Sequence, residues 1–295
     1  MTGSGGKIEI RSLGPFDIRA FSHFAATVDL TYLVSPAALA LGVEADGKPA
    51  GLALGYFVRA SAVRVAALVV DESLRGLGIG KQLYDRLIEE LRKRGAQILD
   101  VLASNPEPFL ERRGWKLGAR LASVYTFSKR VGEAPWLQKA IVLPPPYQLV
   151  PWLDHTAQDR QNAMRLMKDD PVARRLDPFH DPGRVFGPSS NALRQDGELV
   201  GWCVTHRISS QTLQYSSVYV ASKQRRTAAP MILLNHCIRE HLRRSEEVPF
   251  GIQAVPPELP EIERFANKRL APWADRVQRV HVWWKQFDAP GARTA

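Results

Sequence analysis

The sequence predicts a mixed α/β fold that occurs twice in one chain, and three observations carry this expectation. First, residues 44–56 read EADGKPAGLALGY and residues 194–206 read RQDGELVGWCVTH. Asp-Gly between alternating apolar runs marks a tight hairpin, because both turn residues tolerate positive φ. Asp46 and Asp196 lie 150 positions apart, and the same offset sets Val70 on Val220, Arg75 on Arg225, Leu83 on Leu233, Ile88 on Ile238, Glu90 on Glu240 and Arg94 on Arg244. One ungapped register thus joins a hairpin, a strand, a loop and a helix. Second, an apolar stretch in the first copy leads through a glycine-rich loop into an amphipathic helix. Third, Pro144, Pro145 and Pro146 stand in a row between the copies, and consecutive prolines oppose helix and central strand. The expected domains are 1–130, a Pro-rich linker at 131–146, and 147–295.

The first copy is legible element by element. Lys7 to Arg11 alternates as a strand, and Phe16 to Val28 has helical spacing. Leu39 to Arg59 is the hairpin. Ala62 to Val70 is nearly continuous in apolar residues, which predicts a strand buried on both faces. Lys81 to Arg94 places Leu83, Leu87, Ile88 and Leu91 on one helical face, with Arg86, Glu89, Glu90 and Arg92 towards water. Gln97 to Leu102 reads as a strand, Pro108 to Arg113 as a short helix, and Ser123 to Ser128 as the last strand of this copy.

Composition narrows the class. The net charge is +10, and 18 Lys+Arg stand against 13 Asp+Glu up to Arg130, so each copy carries half of the excess. An even spread is not a nucleic-acid-binding arm, but it favours anionic ligands. Cys203 and Cys237 lie in apolar stretches without metal-ligand spacing, as buried thiols of a reducing compartment do. Met1 to Gly6 lacks the regions of a signal peptide, and the apolar run near 60–70 is too short to span a bilayer. The expectation is a soluble cytoplasmic protein, monomer or homodimer, with no metal, nucleic acid or membrane partner.

The chemistry concentrates in Leu74 to Lys81, LRGLGIGK. Gly76, Gly78 and Gly80 allow unusual backbone angles and close approach. The free amides of the following helical turn, with the helix dipole and the charges of Arg75 and Lys81, make an anion site. The spacing is neither that of a dinucleotide fingerprint nor that of a Walker loop, since Gln82 follows Lys81. With Arg75, Gly78 and Gly80 it resembles the [QR]-x-x-G-x-[GA] pattern of the GNAT acyltransferase superfamily. Pro108 to Trp115, PFLERRGW, is similar to that family's Phe-Tyr-Glu-Lys-x-Gly-Phe segment. The resemblance covers essentially all of the first copy. It implies two tandem GNAT-like domains, acetyl-CoA or another acyl-CoA as co-substrate, and transfer to an amine of a small molecule or a protein. It implies further that the backbone of Leu68, Val69 and Val70 meets the pantetheine arm, that Gly76, Leu77, Gly78, Ile79, Gly80 and Lys81 hold the pyrophosphate, and that Asn105 contacts the cofactor or orders a water.

The sequence also departs from the family. The position of the usual acidic Tyr is Leu110, which cannot transfer a proton, and the strand 62–70 carries Arg64 as its only ionisable group where relatives have Glu. The catalytic residue is therefore unassigned, with Asp29, Tyr32 and Tyr56 as substitutes, each with a structural role as the simpler account. A non-catalytic acyl-CoA sensor is the alternative. In the second copy Gly78 corresponds to Ala228 and Gly80 to Pro230, which removes conformational freedom and a donor. That copy reads as degenerate, with Arg225 and Arg226 left for weak anion binding. Six of the seven His residues fall in it, without a metal motif, and Trp283 and Trp284 read as packing residues of a final strand.

Overall fold

A computed structural model describes residues 7–25, 37–105, 107–139 and 143–287. It divides into two compact units, 1–120 with 280–295 and 121–279.

In unit 1, β1 (Ile8–Ser12), β2 (Ala38–Ala45), β3 (Lys48–Phe57) and β4 (Ala62–Val70) follow in antiparallel order. Helix α1 (Ile79–Lys93) then crosses over to β5 (Ile98–Ser104), which runs parallel to β4. A short helix, α2 (Pro108–Glu111), follows. The sixth strand is not the one expected. Residues 280–286 of β12 (Arg276–Gln286) pair antiparallel with the whole of β5, from Val280↔Ser104 to Gln286↔Ile98. The strand expected at Ser123–Ser128 is the far half of β6 (Lys116–Phe127), and its residues 123–127 pair with β11 (Phe250–Val255) in unit 2. The units therefore differ from the sequential halves because each sheet takes its last strand from the other copy's stretch of sequence.

The amphipathic reading of α1 fixes its docking. Leu83, Tyr84, Leu87 and Leu91 are buried against Val63, Val65, Leu99, Leu110, Trp115 and Trp283. Phe21 covers the opposite face with Leu52, Leu54 and Ala67. The helix expected at Phe16–Val28 is a 3-10 segment, Asp17–Ala25, with 26–28 outside the described residues. Strand β4 is not buried on both faces as its composition predicted. Val63, Val65 and Ala67 are buried, while Ala66 and Leu68 to Val70 are half-buried, because β4 loses its neighbour at that end.

Unit 2 repeats the plan. Its strands are β7 (Tyr147–Pro151), β8 (Asn191–Gln195), β9 (Glu198–Arg207), β10 (Thr212–Val220), β11 and residues 121–127 of β6. Helix α6 (Ala229–Leu242) occupies the place of α1. The stretch expected as a linker starts inside this unit's core, where Val131, Ala134 and, on the short helix α3 (Pro135–Gln138), Leu137 are buried; residues 140–142 lie outside the described residues. Helices α4 (Ala157–Asp169) and α5 (Pro171–Arg175) place Ala163 and Ala173 on the face formed by Trp202, Val204 and Tyr219. The 150-residue offset extends to features that composition cannot show. Asp46 and Asp196 share φ of +51°. Gly51 and Gly201 sit where a Cβ would come within 2.8 Å of the Val69 and Tyr219 carbonyls. Extra residues bulge from the ladders at Ala50 and Val200, and again at Ala66 and Ser216.

Candidate active site

The site of unit 1 starts from one parting of strands. The β4–β5 register runs from Ala62↔Ile98 to Val65↔Val101 and ends there. At the next residue, Ala66, the bulge shifts β4 against β3. Beyond it the two strands diverge. The Asp71 amide donates to the Ala50 carbonyl at 2.9 Å, so alternation along β4 turns Val69 towards β3 and leaves the N–H and C=O of Leu68 and Val70 on the open edge. An open strand edge can take up an extended, amide-bearing ligand.

The loop at the carboxyl end of β4 presents a second set of donors. Asp71 accepts from the Ser73 amide at 2.9 Å and opens a 3-10 turn, Glu72–Leu74. Gly76 and Gly78 then take φ of +85° and +80°, with Gly78 as the cap of α1. The Lys81 and Gln82 amides already bond to the Gly78 carbonyl. The amides of Gly76 through Gly80 have no acceptor among the described residues. Gly76, Leu77 and Gly78 are exposed, and the five amides lie at the positive end of a 15-residue helix, the arrangement that binds phosphate. Gly80 is a correction: it is an ordinary helical residue without positive φ. Arg75 is exposed and folds back, with Nε 3.4 Å from the Val70 carbonyl and Nη1 3.1 Å from Glu72. Lys81 is exposed and has no ion-pair partner among the described residues. Asn105 lies exposed one residue beyond β5, at the same carboxyl end of the parallel pair. The expected cofactor residues Leu68, Val69, Val70, Arg75, Gly76, Leu77, Gly78, Ile79, Gly80, Lys81 and Asn105 thus gather at one end of the sheet.

The substitutes for a proton-transfer group do not gather there. Asp29 and Tyr32 lie outside the described residues. Tyr56 is in register with Arg64, on the far side of the bulge. Leu110 is buried in the α1 core. Two arrangements escaped sequence reasoning. Arg64 donates to both carboxylate oxygens of Asp100, its partner in the β4–β5 register, at 2.7 and 2.9 Å. The hydrogen bond to Asp100 raises the Arg64 pKa against the effect of burial. Trp115 Nε1 donates to the buried Tyr84 hydroxyl at 2.8 Å, and Arg113 stacks over Phe109 and Tyr84. Burial raises the Tyr84 pKa.

Unit 2 has closed the same loop on itself. Ala228 has helical φ of −72°, and the Thr227 hydroxyl accepts from the Ala229 amide at 3.1 Å. Arg225 donates to the Val220 carbonyl and to Asp170, and Asp170 also accepts from Tyr219. Of the two cations expected to remain available for anions, Arg225 is thus held by an internal carboxylate, while Arg226 is exposed.

Comparison with known proteins agrees with this geometry. Residues 10–115 match the model of the acetyltransferase (GNAT) family. A mycothiol acetyltransferase of Frankia alni is 32% identical over 188 residues, which is 57% of this chain and 54% of that protein. A tandem GNAT protein from the clavulanic acid biosynthesis pathway superposes with a TM-score of 0.60 at 17% identity, covering 95% of this chain and 98% of that one. Residues 10–115 carry the pattern of the GNAT acetyltransferase family. A GCN5-related N-acetyltransferase from Sphaerobacter thermophilus has the same tandem fold across 95% of both chains, at a TM-score of 0.54 and 16% identity. The two structural matches show two GNAT-like domains in one chain. The chain spans about half the length of the curated Frankia relative. Among the described residues no helix is long and apolar enough to cross a membrane, and no group of three His, Cys, Asp or Glu side chains is placed to hold a metal.

Proposed function

We propose that unit 1 is an N-acetyltransferase that moves the acyl group of acetyl-CoA, or of another acyl-CoA, to an amine by direct transfer in a ternary complex. The observation that carries this reading is the run of acceptor-less amides from Gly76 to Gly80 beside the open edge of Leu68 and Val70. These groups suit a ligand with a pyrophosphate at one end and an amide-bearing arm. Gly76 to Lys81 would hold the pyrophosphate, with charge from Lys81 and Arg75. Leu68, Val69 and Val70 would receive the arm, and an N–H on the open edge would serve as oxyanion donor. Asn105 would meet the cofactor or order a water. When bound, the cofactor supplies an activated thioester.

The acceptor must present a neutral amine, and the chain's contribution is to bring it into line and exclude water. Tyr56 and the Arg64–Asp100 pair are polar groups near the parting of the strands and are available to orient it. The Frankia relative is named for mycothiol; the acceptor proposed for this chain is an amine of a small molecule or a protein. The second reading, a non-catalytic acyl-CoA sensor, is favoured by one observation: Leu110 stands buried where the family's acid would be.

Calorimetric titration with acetyl-CoA tests the first step. A single micromolar site that Gly78→Glu abolishes, with the native circular dichroism and a cooperative thermal transition retained, is the expected result. No binding to the natural protein overturns the transferase reading, and two sites per chain would show that the second loop binds as well. Release of CoA in an acceptor screen separates enzyme from sensor.

A further inference from the structure

Unit 2 holds a polar pair that owes nothing to the glycine loop. Ser216 is the extra residue of the β10 bulge, between Tyr215↔Thr205 and Ser217↔Val204. Ser216 is half-buried, like Gln214 and Val218 on either side of it in the alternation, whereas Tyr215 and Ser217 are buried. Beside it, on β9, His206 is only 3% exposed. His206 Nδ1 lies 2.6 Å from Ser216 Oγ, and Ser216 Oγ is also 3.2 Å from the Gln214 carbonyl. His206 Nε2 is fully buried and has no hydrogen-bond partner among the described residues. The His180 ring is 6.0 Å away, and Asp181 follows it with φ of +50°. The β10–β11 register ends at Gln214↔Ile252, so Ser216 stands where those strands part.

A buried imidazole with one nitrogen unsatisfied is costly for a purely structural contact, and such costs concentrate at sites of chemistry. A hydroxyl within hydrogen-bond distance of an imidazole is the arrangement of an activated nucleophile. Burial lowers the pKa of the ring, against the backbone of His180 and Asp181 and the Asp181 carboxylate, which favour charge.

We infer that Ser216 and His206 form a nucleophile–base pair that accepts an acyl group from a thioester or aryl ester. In the tautomer with the ring proton on Nε2, the Ser216 hydroxyl donates to Nδ1. Ser216 Oγ attacks the carbonyl carbon and its proton passes to Nδ1. The tetrahedral adduct then breaks its C–S or C–O bond, and the leaving thiolate or phenoxide takes the proton from Nδ1. Acyl-Ser216 remains, and water hydrolyses it to a carboxylic acid by the same route. This pair is independent of acyl-CoA binding in unit 1.

The test uses the full-length protein with a fluorophosphonate probe and with p-nitrophenyl acetate, the modified residue being located by mass spectrometry. Ser216 is expected to carry the label, Ser216→Ala to carry none, and His206→Gln to be labelled at least ~10²-fold more slowly, the contribution typical of a general base. Where His206→Gln fails to fold, Ser216→Cys replaces it. A thiol beside the imidazole titrates below the ordinary value of about 8.5, read from thiolate absorbance. An unlabelled Ser216 in the folded protein, equal labelling of His206→Gln, or a thiol in the Ser216→Cys variant that titrates at or above the ordinary value would overturn the inference.

Discussion

At the scale of single residues, the glycines of the loop differ in what they do. Gly78 holds φ of +80° with nothing within 4 Å of where a Cβ would stand, so Gly78→Ala is a purely conformational change. It should cost ~1–2 kcal/mol of stability. Gly80 is helical, and an added Cβ meets Val70 at an ordinary 3.7 Å, so Gly80→Ala should leave stability unchanged or raise it by up to ~1 kcal/mol. Urea denaturation of the two variants checks the opposite signs. Tyr84→Phe removes the acceptor of Trp115 Nε1 inside the core and should destabilise by ~1–3 kcal/mol in the same assay. The loop residues were legible in the sequence because glycine, arginine and lysine at fixed spacing carry their own conformational and electrostatic meaning. The Arg64–Asp100 and Ser216–His206 pairs were not. Their partners lie 36 and 10 residues apart, and only strand register brings them together.

At the scale of elements, β4 matched its apolar run, Ala62 to Val70, and α1 began two residues before the reading of its amphipathic face. Bulges at Ala66 and Ser216 left no mark, because a bulge is a property of two strands against each other and these two residues share little chemistry. The bulge at Ala66 is what opens the edge at Leu68 and Val70. Amide hydrogen exchange should show it directly: Leu68 and Val70 exchange faster than Val69, which faces β3, and acetyl-CoA slows Leu68 and Val70 selectively. Equal protection of the three without ligand would mean that the edge is closed.

At the scale of the whole molecule, the acid response should be concentrated in unit 2. Burial lowers the pKa of His206, His236 and His241 below the ordinary 6.5. The unfolded chain then binds more protons than the folded one, so stability present above pH ~6.5 is lost as pH falls through the folded values. Asp159 and Asp170 act lower down. Burial alone would raise them, but hydrogen bonds and Arg194 or Arg225 lower them below 3.8, so their contribution is lost as pH falls further. Hydrogen exchange should therefore show unit 2 losing protection before unit 1 between pH 7 and 5. The duplication was readable in the sequence, whereas the destination of the last strands was not, because either copy's β-rich segment suits either sheet. Residues 1–142 made alone lack Trp283 and the strand beside β5, and 143–295 lack Tyr125 and Phe127. Neither half should give a dispersed NMR spectrum on its own, and mixing them should restore one. The exchange also bears on how such a gene can change. A premature stop anywhere before codon 280 removes a strand from the first copy's sheet, so natural selection cannot discard the second copy by truncation even after its loop has decayed.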